Sequence, residues 1–444
     1  MRKSFCFAIT FIVSLSYGIE ITAQEQIGYD RKVISTTKIA DVWAGHPVGF
    51  NILTAADDQY ISYYDSARNM CVAKRRLSND EWTHTILPSR VGWDSHNYIA
   101  LALDKKGFIH VSGNMHGVPL VYFRSAQPRD ISTFEAHQMV GREEQRVTYP
   151  VFFENNGGDL FFQYRDGGSG NGITYINQYD PEIKQWKRVL DEGLFDGEGE
   201  TNAYPNNPVA GPDGFFHYMW VWRLNPIANT NHNLSYVRTR DFLHFENIEG
   251  EQVDIPIRYR DRSVIADPVG PWNGLMNSCK ILSFDSRGRV IMVYHKFDKK
   301  GRSQLFICRH ENGEWINRQI SDWPDFTWAI NATGSLGNAI KLNDIRTDSA
   351  GHIYVGYAHE KYGDGLLEID EDRLILLNDL KGESLLHVEG LPSTIKEGMQ
   401  INSRWDGTGQ YILQWETLQT NFDKARDAPY PPPSPLMLYE IDPR

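Results

Sequence analysis

Alternating apolar and polar positions occur in seven short segments of the chain, and each segment directly follows a tight polar turn. Two examples are Gly107 before the segment 108–111 (FIHV) and Gly288 before the segment 289–291 (RVI). The seven turns are 56–58, 104–107, 156–158, 212–214, 286–288, 349–351 and 407–409. A period of two residues predicts β-strands, and a polar or glycine-containing turn ahead of each strand predicts a hairpin.

The turns recur at a spacing that indicates a repeated architecture. With Asp58 and the glycine of each later turn as reference points, the intervals are 49, 51, 56, 74, 63 and 58 residues. A repeat of this size, without a helical period, is typical of a β-propeller, in which each blade is stable only against its neighbours. We therefore predict an all-β fold, a seven-bladed β-propeller of four-stranded antiparallel blades.

The first residues predict export. Met1, Arg2 and Lys3 form a basic start, residues 5–16 are mostly apolar, and Ala23 ends a segment typical of a cleavage site. The apolar stretch is too short for a membrane span. We expect a signal peptide at 1–23, a secreted or periplasmic location, and a single catalytic propeller domain at 24–444.

Charge and cysteine content exclude several classes of function. The formal net charge is −12, and no basic run is present, so nucleic acid is a poor partner and membrane insertion is not expected. Cys71, Cys279 and Cys308 are scattered after the signal segment and predict neither a disulfide framework nor a zinc site. No cofactor is expected, and nothing in the sequence indicates a structural divalent ion in the central channel.

The predicted topology assigns many polar side chains to one face of the propeller. Each marked turn joins the first and second strands of a blade, so the segment before strand one and the loop after strand two lie on the opposite face. Cationic side chains from successive blades would form a funnel there that suits an acidic ligand. The residues expected to bind substrate are Arg165, Asn114, Arg223, His295, Lys296, His359, Trp415 and Glu416.

The strongest candidate cluster on this face combines His96, His116, Tyr149 and Arg165. These side chains suit β-elimination from a uronic acid, because an arginine paired with the carboxylate makes the adjacent C5 proton more acidic. A neutral histidine or a tyrosinate would take that proton, and a histidine or tyrosine would protonate the leaving oxygen. Structural roles are the alternative. In that alternative each histidine hydrogen-bonds the loop backbone, and Tyr149 belongs to the blade architecture, since Tyr204-Pro205 repeats Tyr149-Pro150 one blade later.

His46 is a second candidate. It lies between Gly45 and Pro47 in the segment 42–50 (VWAGHPVGF), ahead of a first strand, where an exposed histidine can act as a general acid or base. A surface histidine without a catalytic role is the alternative. The glycine-rich loop 167–172 precedes a strand rather than a helix, so it does not indicate a nucleotide site.

These residues resemble a known family. Over nearly all of the mature sequence the chain resembles the bacterial-neuraminidase-repeat-like seven-bladed propellers of polysaccharide-degrading bacteria. The pairs His96/His116 and Tyr149/Arg165, 20 and 16 residues apart, are similar to the catalytic set of propeller ulvan lyases. That resemblance implies acid and base roles for the histidines and the tyrosine, and neutralisation of the uronate by the arginine.

The segment around His46 more closely resembles the propeller α-L-rhamnosidases of gut Bacteroides. This resemblance implies removal of terminal L-rhamnose linked α-1,4 to D-glucuronate on arabinogalactans, with His46 as the catalytic histidine. Both branches imply an acidic plant or algal glycan containing rhamnose and glucuronate. We expect hydrolysis because His46 is present; the alternatives are β-elimination and a propeller that binds acidic glycans without cleaving them.

Overall fold

The strands of the molecule dominate its structure. A computed structural model describes residues 29–393 and 396–443, so the predicted signal peptide at 1–23 lies outside the described residues. The helices within those ranges are two short 3-10 turns, Ile131–Thr133 and Ala228–Thr230. The prediction of an all-β fold is therefore confirmed. No helix in this part of the chain combines the length and the apolar character that a membrane crossing requires.

The strands, numbered in chain order, form seven sheets among the described residues. The first strand is β1 (Tyr29–Val42), which pairs with the last sheet. The first sheet contains β2 (Asn51–Ala55), β3 (Asp58–Tyr64), β4 (Asn69–Arg76) and β5 (Thr83–Arg90). The second contains β6 (Ile99–Leu103), β7 (Ile109–Gly113), β9 (Tyr122–Ser125) and β10 (Phe134–Ala136). The short strand β8 (His116–Val118), which follows β7 in the chain, pairs instead with the third sheet.

The middle sheets are larger. The third contains β11 (Val147–Glu154), β12 (Leu160–Asp166), β13 (Ile173–Asp180), β14 (Gln185–Arg188) and β15 (Phe195–Asp196). The fourth contains β16 (Asn202–Pro205), β17 (Val209–Ala210), β18 (Phe216–Arg223), β19 (Asn231–Thr239), β20 (Phe245–Glu246) and β21 (Gln252–Val253). Two further short strands follow: β22 (Ile257–Arg258) returns to the third sheet, and β23 (Ile265–Asp267) joins the fourth.

The last three sheets complete the molecule. The fifth contains β24 (Lys280–Phe284), β25 (Val290–Phe297), β26 (Ser303–Glu311) and β27 (Glu314–Gln319). The sixth contains β28 (Ile340–Thr347), β29 (His352–His359), β30 (Gly363–Asp370) and β31 (Ile375–Lys381). After β32 (Leu386–Glu389), the seventh contains β33 (Met399–Trp405), β34 (Tyr411–Leu418) and β35 (Ser434–Ile441), with β1 beside β35.

Each of the seven predicted turns connects two antiparallel strands of one sheet; in the fourth sheet the strand before the turn is the two-residue β17. An aspartate that ends the first strand stabilises several of these turns, because its carboxylate accepts hydrogen bonds from the turn backbone. Asp104 accepts from the N–H groups of Lys106 and Phe108 at 2.9 Å each. Asp285 and Asp348 make the same pair of bonds in the fifth and sixth sheets. The glycine that follows has positive φ, for example 85° at Gly107, which a side chain would strain.

The two ends of the chain meet in one sheet. β1 and β35 are antiparallel from Val33↔Ile441 to Val42↔Ser434. This pairing closes the molecule, because the first and last sheets are then joined by the chain itself. Apolar side chains fill the spaces between sheets; Ile39 of β1, Val72 of β4 and Leu413 of β34 belong to one such cluster. Cys71, Cys279 and Cys308 are buried free thiols.

Candidate active site

Two connected cavities lie where the segments before the first strands meet the loops after the second strands. The larger is a cleft of about 910 Å³, and the smaller is a side pocket of about 300 Å³. His96, Tyr149, Asn277 and Ser278 line both, so the side pocket opens from the cleft. A separate hollow of about 580 Å³ lies among Leu103, Lys105 and Phe152 and contains none of the predicted site residues.

Asp94 bridges the two predicted histidines. One carboxylate oxygen contacts His96 Nδ1 at 2.7 Å, and the other contacts His116 Nδ1. The two imidazole rings stack with their centroids 4.2 Å apart. Burial alone would raise the pKa of Asp94, but hydrogen bonds from both histidines hold it below its ordinary value. Because Nδ1 of each ring donates to this carboxylate, Nε2 of the neutral ring is left with a free lone pair.

Tyr149 reaches the histidines because its strand is irregular. Thr148 pairs with Arg165 and Val151 with Gln163, so two residues of β11 lie opposite one residue of β12. Tyr149 takes a φ of 59°, which is unusual for an aromatic residue and turns its side chain out of the regular pleat. Its ring centroid lies 5.7 Å from that of His96. Burial raises the pKa of Tyr149, so the phenol keeps its proton at neutral pH.

Tyr204 occupies the corresponding position in the next sheet and belongs to the same cluster. Its ring lies 6.1 Å from that of Tyr149, and its hydroxyl contacts the Ser169 hydroxyl at 2.7 Å. Burial opposes ionisation of Tyr204, but the positive charges of Arg165 and Arg223 outweigh it and lower its pKa. The two tyrosines therefore differ in acidity: the two arginines lower the pKa of Tyr204, whereas burial and the proximity of Tyr204 raise the pKa of Tyr149.

Arg165 forms the cationic end of the side pocket. Its guanidinium carbon lies 4.9 Å from the Tyr149 ring centroid and 5.6 Å from that of Tyr204. The side chain is 4% exposed, and its Nε and Nη1 atoms have no hydrogen-bond partner in the protein. Buried donors of this kind are costly unless a ligand satisfies them, so the pocket is built to receive an anion. The backbone of Gly172 packs against this arginine: a Cβ there would lie 2.5 Å from Arg165 Cδ.

Among the described residues, one group of histidine and acidic side chains has ligand atoms close enough together to hold a metal ion. It consists of Asp94, His96 and His116, whose ligand atoms lie within 4.8 Å of one another. The same three groups already satisfy one another by hydrogen bonding.

His46 does not lie at the surface of the cleft, so the expectation of an exposed histidine is wrong. Its side chain is 2% exposed, although the following residues, Pro47 to Gly49, line the cleft. Nδ1 accepts a hydrogen bond from Trp43 Nε1 at 3.0 Å, and the ring packs near Trp93. Burial lowers the pKa of His46 to about 4, so it is neutral and held within an aromatic cluster.

The predicted cationic funnel is also wrong in most of its members. His295 and His359 are buried at 0% and 3% exposure, and burial lowers the pKa of each to about 4. His295 donates from Nδ1 to the carbonyl of Gly274 at 2.7 Å. His359 packs on Trp323 at a ring distance of 4.4 Å. Both are neutral histidines of the interior because no anionic partner compensates their burial.

The remaining predicted residues divide between the cleft and other locations. Three of them, Lys296, Glu416 and Asn114, do not line the cavities. Lys296 forms an ion pair with Asp267, and Glu416 lies 3.6 Å from Lys396. Asn114 donates hydrogen bonds to the Ser89 hydroxyl and to the Arg90 carbonyl. Arg165, Arg223 and Trp415 do line the cavities. The sequence had assigned no role to Asp94 or Tyr204; the signals available were a carboxylate two residues before His96 and a second Tyr-Pro pair.

Comparisons with known proteins agree with this fold. Residues 58–323 match the family described as BNR repeat-containing family member. A short segment is 36% identical over 58 residues to the short isoform of an ulvan lyase from Alteromonas sp. (strain LOR). That match spans 13% of this chain and 11% of the relative.

Two solved structures share the fold. A family PL25 ulvan lyase, also solved with bound -[GlcA(1-4)Rha3S]-, superposes with a TM-score of 0.61 at 13% identity, over 87% of this chain and 94% of that chain. The polysaccharide lyase Uly1 superposes with a TM-score of 0.62 at 14% identity, over 92% and 99%. At these identities the likeness establishes the propeller fold.

Proposed function

This chain belongs to the BNR repeat-containing family, and from that membership and the geometry of the site we propose that it is a polysaccharide lyase. It would cleave the bond next to a uronic acid by β-elimination. The observation that carries the proposal is the side pocket, in which a buried arginine with unpartnered donors lies beside a histidine and a protonated tyrosine. We also propose that each of the seven sheets is one blade and that the amino-terminal segment directs export.

The proposed substrate is an acidic polysaccharide containing rhamnose and glucuronate. The similar ulvan lyase binds -[GlcA(1-4)Rha3S]-, which supports this choice for the present chain. Arg165 and Arg223 supply two positive charges around Tyr204 in a protein whose net charge is −12. Because the protein as a whole is acidic, this local positive charge favours binding of one anionic group at the site and does not attract polyanions to the surface in general.

The first step is recognition of the uronate. Its carboxylate would pair with the guanidinium of Arg165, whose Nε–H and Nη1–H groups have no partner in the protein. Neutralising the carboxylate stabilises the negative charge that develops on it when the C5 proton leaves. This interaction is stronger in the transition state than in the ground state, and it therefore accelerates the reaction.

The second step is proton transfer and bond cleavage. Neutral His96, whose Nδ1–H is fixed by Asp94, takes the C5 proton on Nε2. The electron pair of the C5–H bond forms the C4–C5 double bond, and the C4–O4 bond breaks. The Tyr149 phenol gives its proton to the departing O4. Proton exchange with solvent then restores neutral His96 and the Tyr149 phenol, and no water is added to the sugar.

Hydrolysis of terminal rhamnose by His46 is less well supported. The buried ring of His46 accepts from Trp43 and carries a lowered pKa, so it is withdrawn from the cleft that would hold the sugar. Conventional glycosidases instead need a pair of carboxyl groups flanking the bond. In this site both oxygens of Asp94 are committed to histidines.

Incubation with a glucuronate–rhamnose polysaccharide such as ulvan tests the proposal. We expect ultraviolet absorbance from a 4,5-unsaturated uronate, with loss of the signal in Tyr149→Phe and His96→Ala. His244→Ala is the matched control, because that histidine is on the surface and its side chain is 73% exposed. Free rhamnose without absorbance would instead establish hydrolysis, and binding without any product would identify a non-catalytic propeller.

A further inference from the structure

The loop between β34 and β35, residues 419–433, reaches across to the candidate active site through Asp423. One carboxylate oxygen of Asp423 accepts hydrogen bonds from the backbone N–H and hydroxyl of Ser95, at 3.1 and 2.9 Å. The other accepts from the backbone N–H of Ser335 at 2.9 Å, and the Ser335 hydroxyl lies within bonding distance of both oxygens. The Asp423 side chain is 13% exposed. Three segments distant in sequence are therefore joined at one carboxylate.

The loop that carries this carboxylate is anchored to the rest of the protein at two places. Phe422 and Asp423 both have positive φ, 52° and 60°, and the carbonyl of Phe422 packs against Gly334, where a Cβ would lie 2.9 Å from its oxygen. Further along the loop, the Tyr430 ring lies 5.4 Å from those of Trp43 and Trp93. The loop is thus packed against the protein both next to Asp423 and at Tyr430.

Asp423 also lies beside the proposed base. Its second oxygen is 3.7 Å from His96 Nδ1, on the imidazole that Asp94 contacts at 2.7 Å. The other groups that face His96 are the stacked ring of His116 and the phenol of Tyr149. Two carboxylates therefore flank one imidazole, and the second reaches it from the last sheet.

We propose that Asp423 is a positioning residue for His96. It holds the segment 94–97 by bonding Ser95, and its negative charge favours the imidazolium that forms when His96 takes a proton. This inference rests on the proposed function, in which His96 is the base. It adds that the loop from the last sheet completes the site, which neither the family membership nor the sequence assigns.

Variants of this cluster separate the effect of the negative charge of Asp423 from the effect of the hydrogen bonds that hold it in place. Asp423→Asn removes the charge with little change in shape. Ser335→Ala keeps the charge and removes one of its anchors. Asp427→Asn makes the same chemical change at an exposed aspartate of the same loop and is the matched control. Asp423→Glu restores the charge on a longer arm, and Asp423→Ser serves as the neutral variant if Asp423→Asn does not fold.

The readouts are the pH dependence of kcat/KM for unsaturated product and, without substrate, the NMR signals of the His96 ring. In Asp423→Asn we expect the acidic limb of the pH profile to move to lower pH by roughly half a unit to one unit, because a neighbouring negative charge is lost, and we expect the ring signals to shift. Asp423→Glu returns both readouts toward those of the wild type. Ser335→Ala lowers kcat without moving the limb, and Asp427→Asn changes neither.

Two results distinguish the possible failures. If Asp423→Asn has the pH profile and the His96 ring signals of the wild type, as Asp427→Asn is expected to have, Asp423 has no influence on His96 and the inference is overturned. If the wild type yields no unsaturated product but the His96 ring signals still shift in Asp423→Asn, the proposed function fails while the positioning of His96 by Asp423 stands.

Discussion

At the scale of single residues, Asp94 sets the chemistry of the site because it holds two histidines in one tautomer. A neutral imidazole has one donor and one acceptor nitrogen, and the hydrogen bond at Nδ1 decides which nitrogen can act as a base. With Nδ1 of His96 and His116 both facing Asp94, both Nε2 atoms are acceptors when the rings are neutral. In the proposed elimination the carboxylate would also stabilise the imidazolium that forms when His96 takes the proton.

Replacement of this carboxylate tests that role. Asp94→Asn preserves the size of the side chain, but it removes the charge and presents an N–H group to one histidine. We expect kcat to fall by about a hundredfold or more, since general acid and base catalysis contributes about 10² to 10⁴ in rate. Steady-state rates of unsaturated product formation measure the effect. Asp41→Asn, a change at an exposed aspartate away from the site, is the control; equal activity of the two variants would contradict the assignment.

At the scale of structural elements, the loop between β12 and β13 controls where Arg165 points. The Cα of Gly172 packs so closely that a methyl group would lie 2.5 Å from Arg165 Cδ and 2.8 Å from Cγ. These contacts are shorter than any that a real Cβ makes, so either the arginine or the loop must move. The glycine-rich sequence of 167–172 is thus explained by close approach to a side chain rather than by phosphate binding.

We therefore predict that Gly172→Ala impairs recognition of the uronate more than it impairs folding. Displacing the guanidinium weakens its interaction with the carboxylate in both the ground state and the transition state, so KM rises and kcat falls. Gly407→Ala is the control, because this loop glycine has open space around it and does not have a positive φ. Kinetics on a series of uronate oligosaccharides, with thermal unfolding to check the fold, measure the difference. Unchanged KM and kcat in Gly172→Ala would show that Arg165 does not bind the uronate.

The strands and the turns between them could be predicted from the sequence. A period of two and an aspartate or glycine at each hairpin are local properties, and all seven turns join adjacent strands. Burial was not predictable in the same way. The pattern around His46 resembles an exposed loop, yet Trp43 and Trp93 cover it. The contact of Asp423 with Ser95 joins residues 328 apart, and no local periodicity indicates such a pairing.

At the scale of the whole molecule, the site exists because different sheets present loops on one face. His96 comes from the second sheet, Tyr149 from the third, Tyr204 from the fourth, and Asp423 from the loop of the seventh. Closure through β1 and β35 keeps the last sheet beside the first. The arrangement of the candidate site therefore depends on the complete ring of sheets, and we expect loosening of that closure to separate Asp423 from His96.

The buried histidines make the stability of the folded protein depend on pH. His46, His295 and His359 have their pKa values lowered to about 4 by burial. In the unfolded chain a histidine titrates near about 6.5, so the unfolded state binds more protons between these values. The stabilisation from keeping these rings neutral is complete above the unfolded pKa and is lost as pH falls from about 6.5 toward about 4.

We expect the free energy of unfolding to be lower at pH 5 than at pH 7, with a weaker pH dependence in His295→Gln. Chemical denaturation of the wild type, His295→Gln and the surface control His244→Ala measures this difference. Equal pH dependence in all three proteins would show that His295 titrates normally in the folded state and is not buried as a neutral ring.

The proposed elimination is tested most directly by the mass balance of the products from a defined glucuronate–rhamnose oligosaccharide. Elimination breaks the C4–O4 bond without adding water, so we expect the product masses to sum to the mass of the substrate. We also expect the uronate-ended fragment to be lighter by one water than its saturated form. A sum that exceeds the substrate by one water for each bond cleaved would contradict elimination and establish hydrolysis.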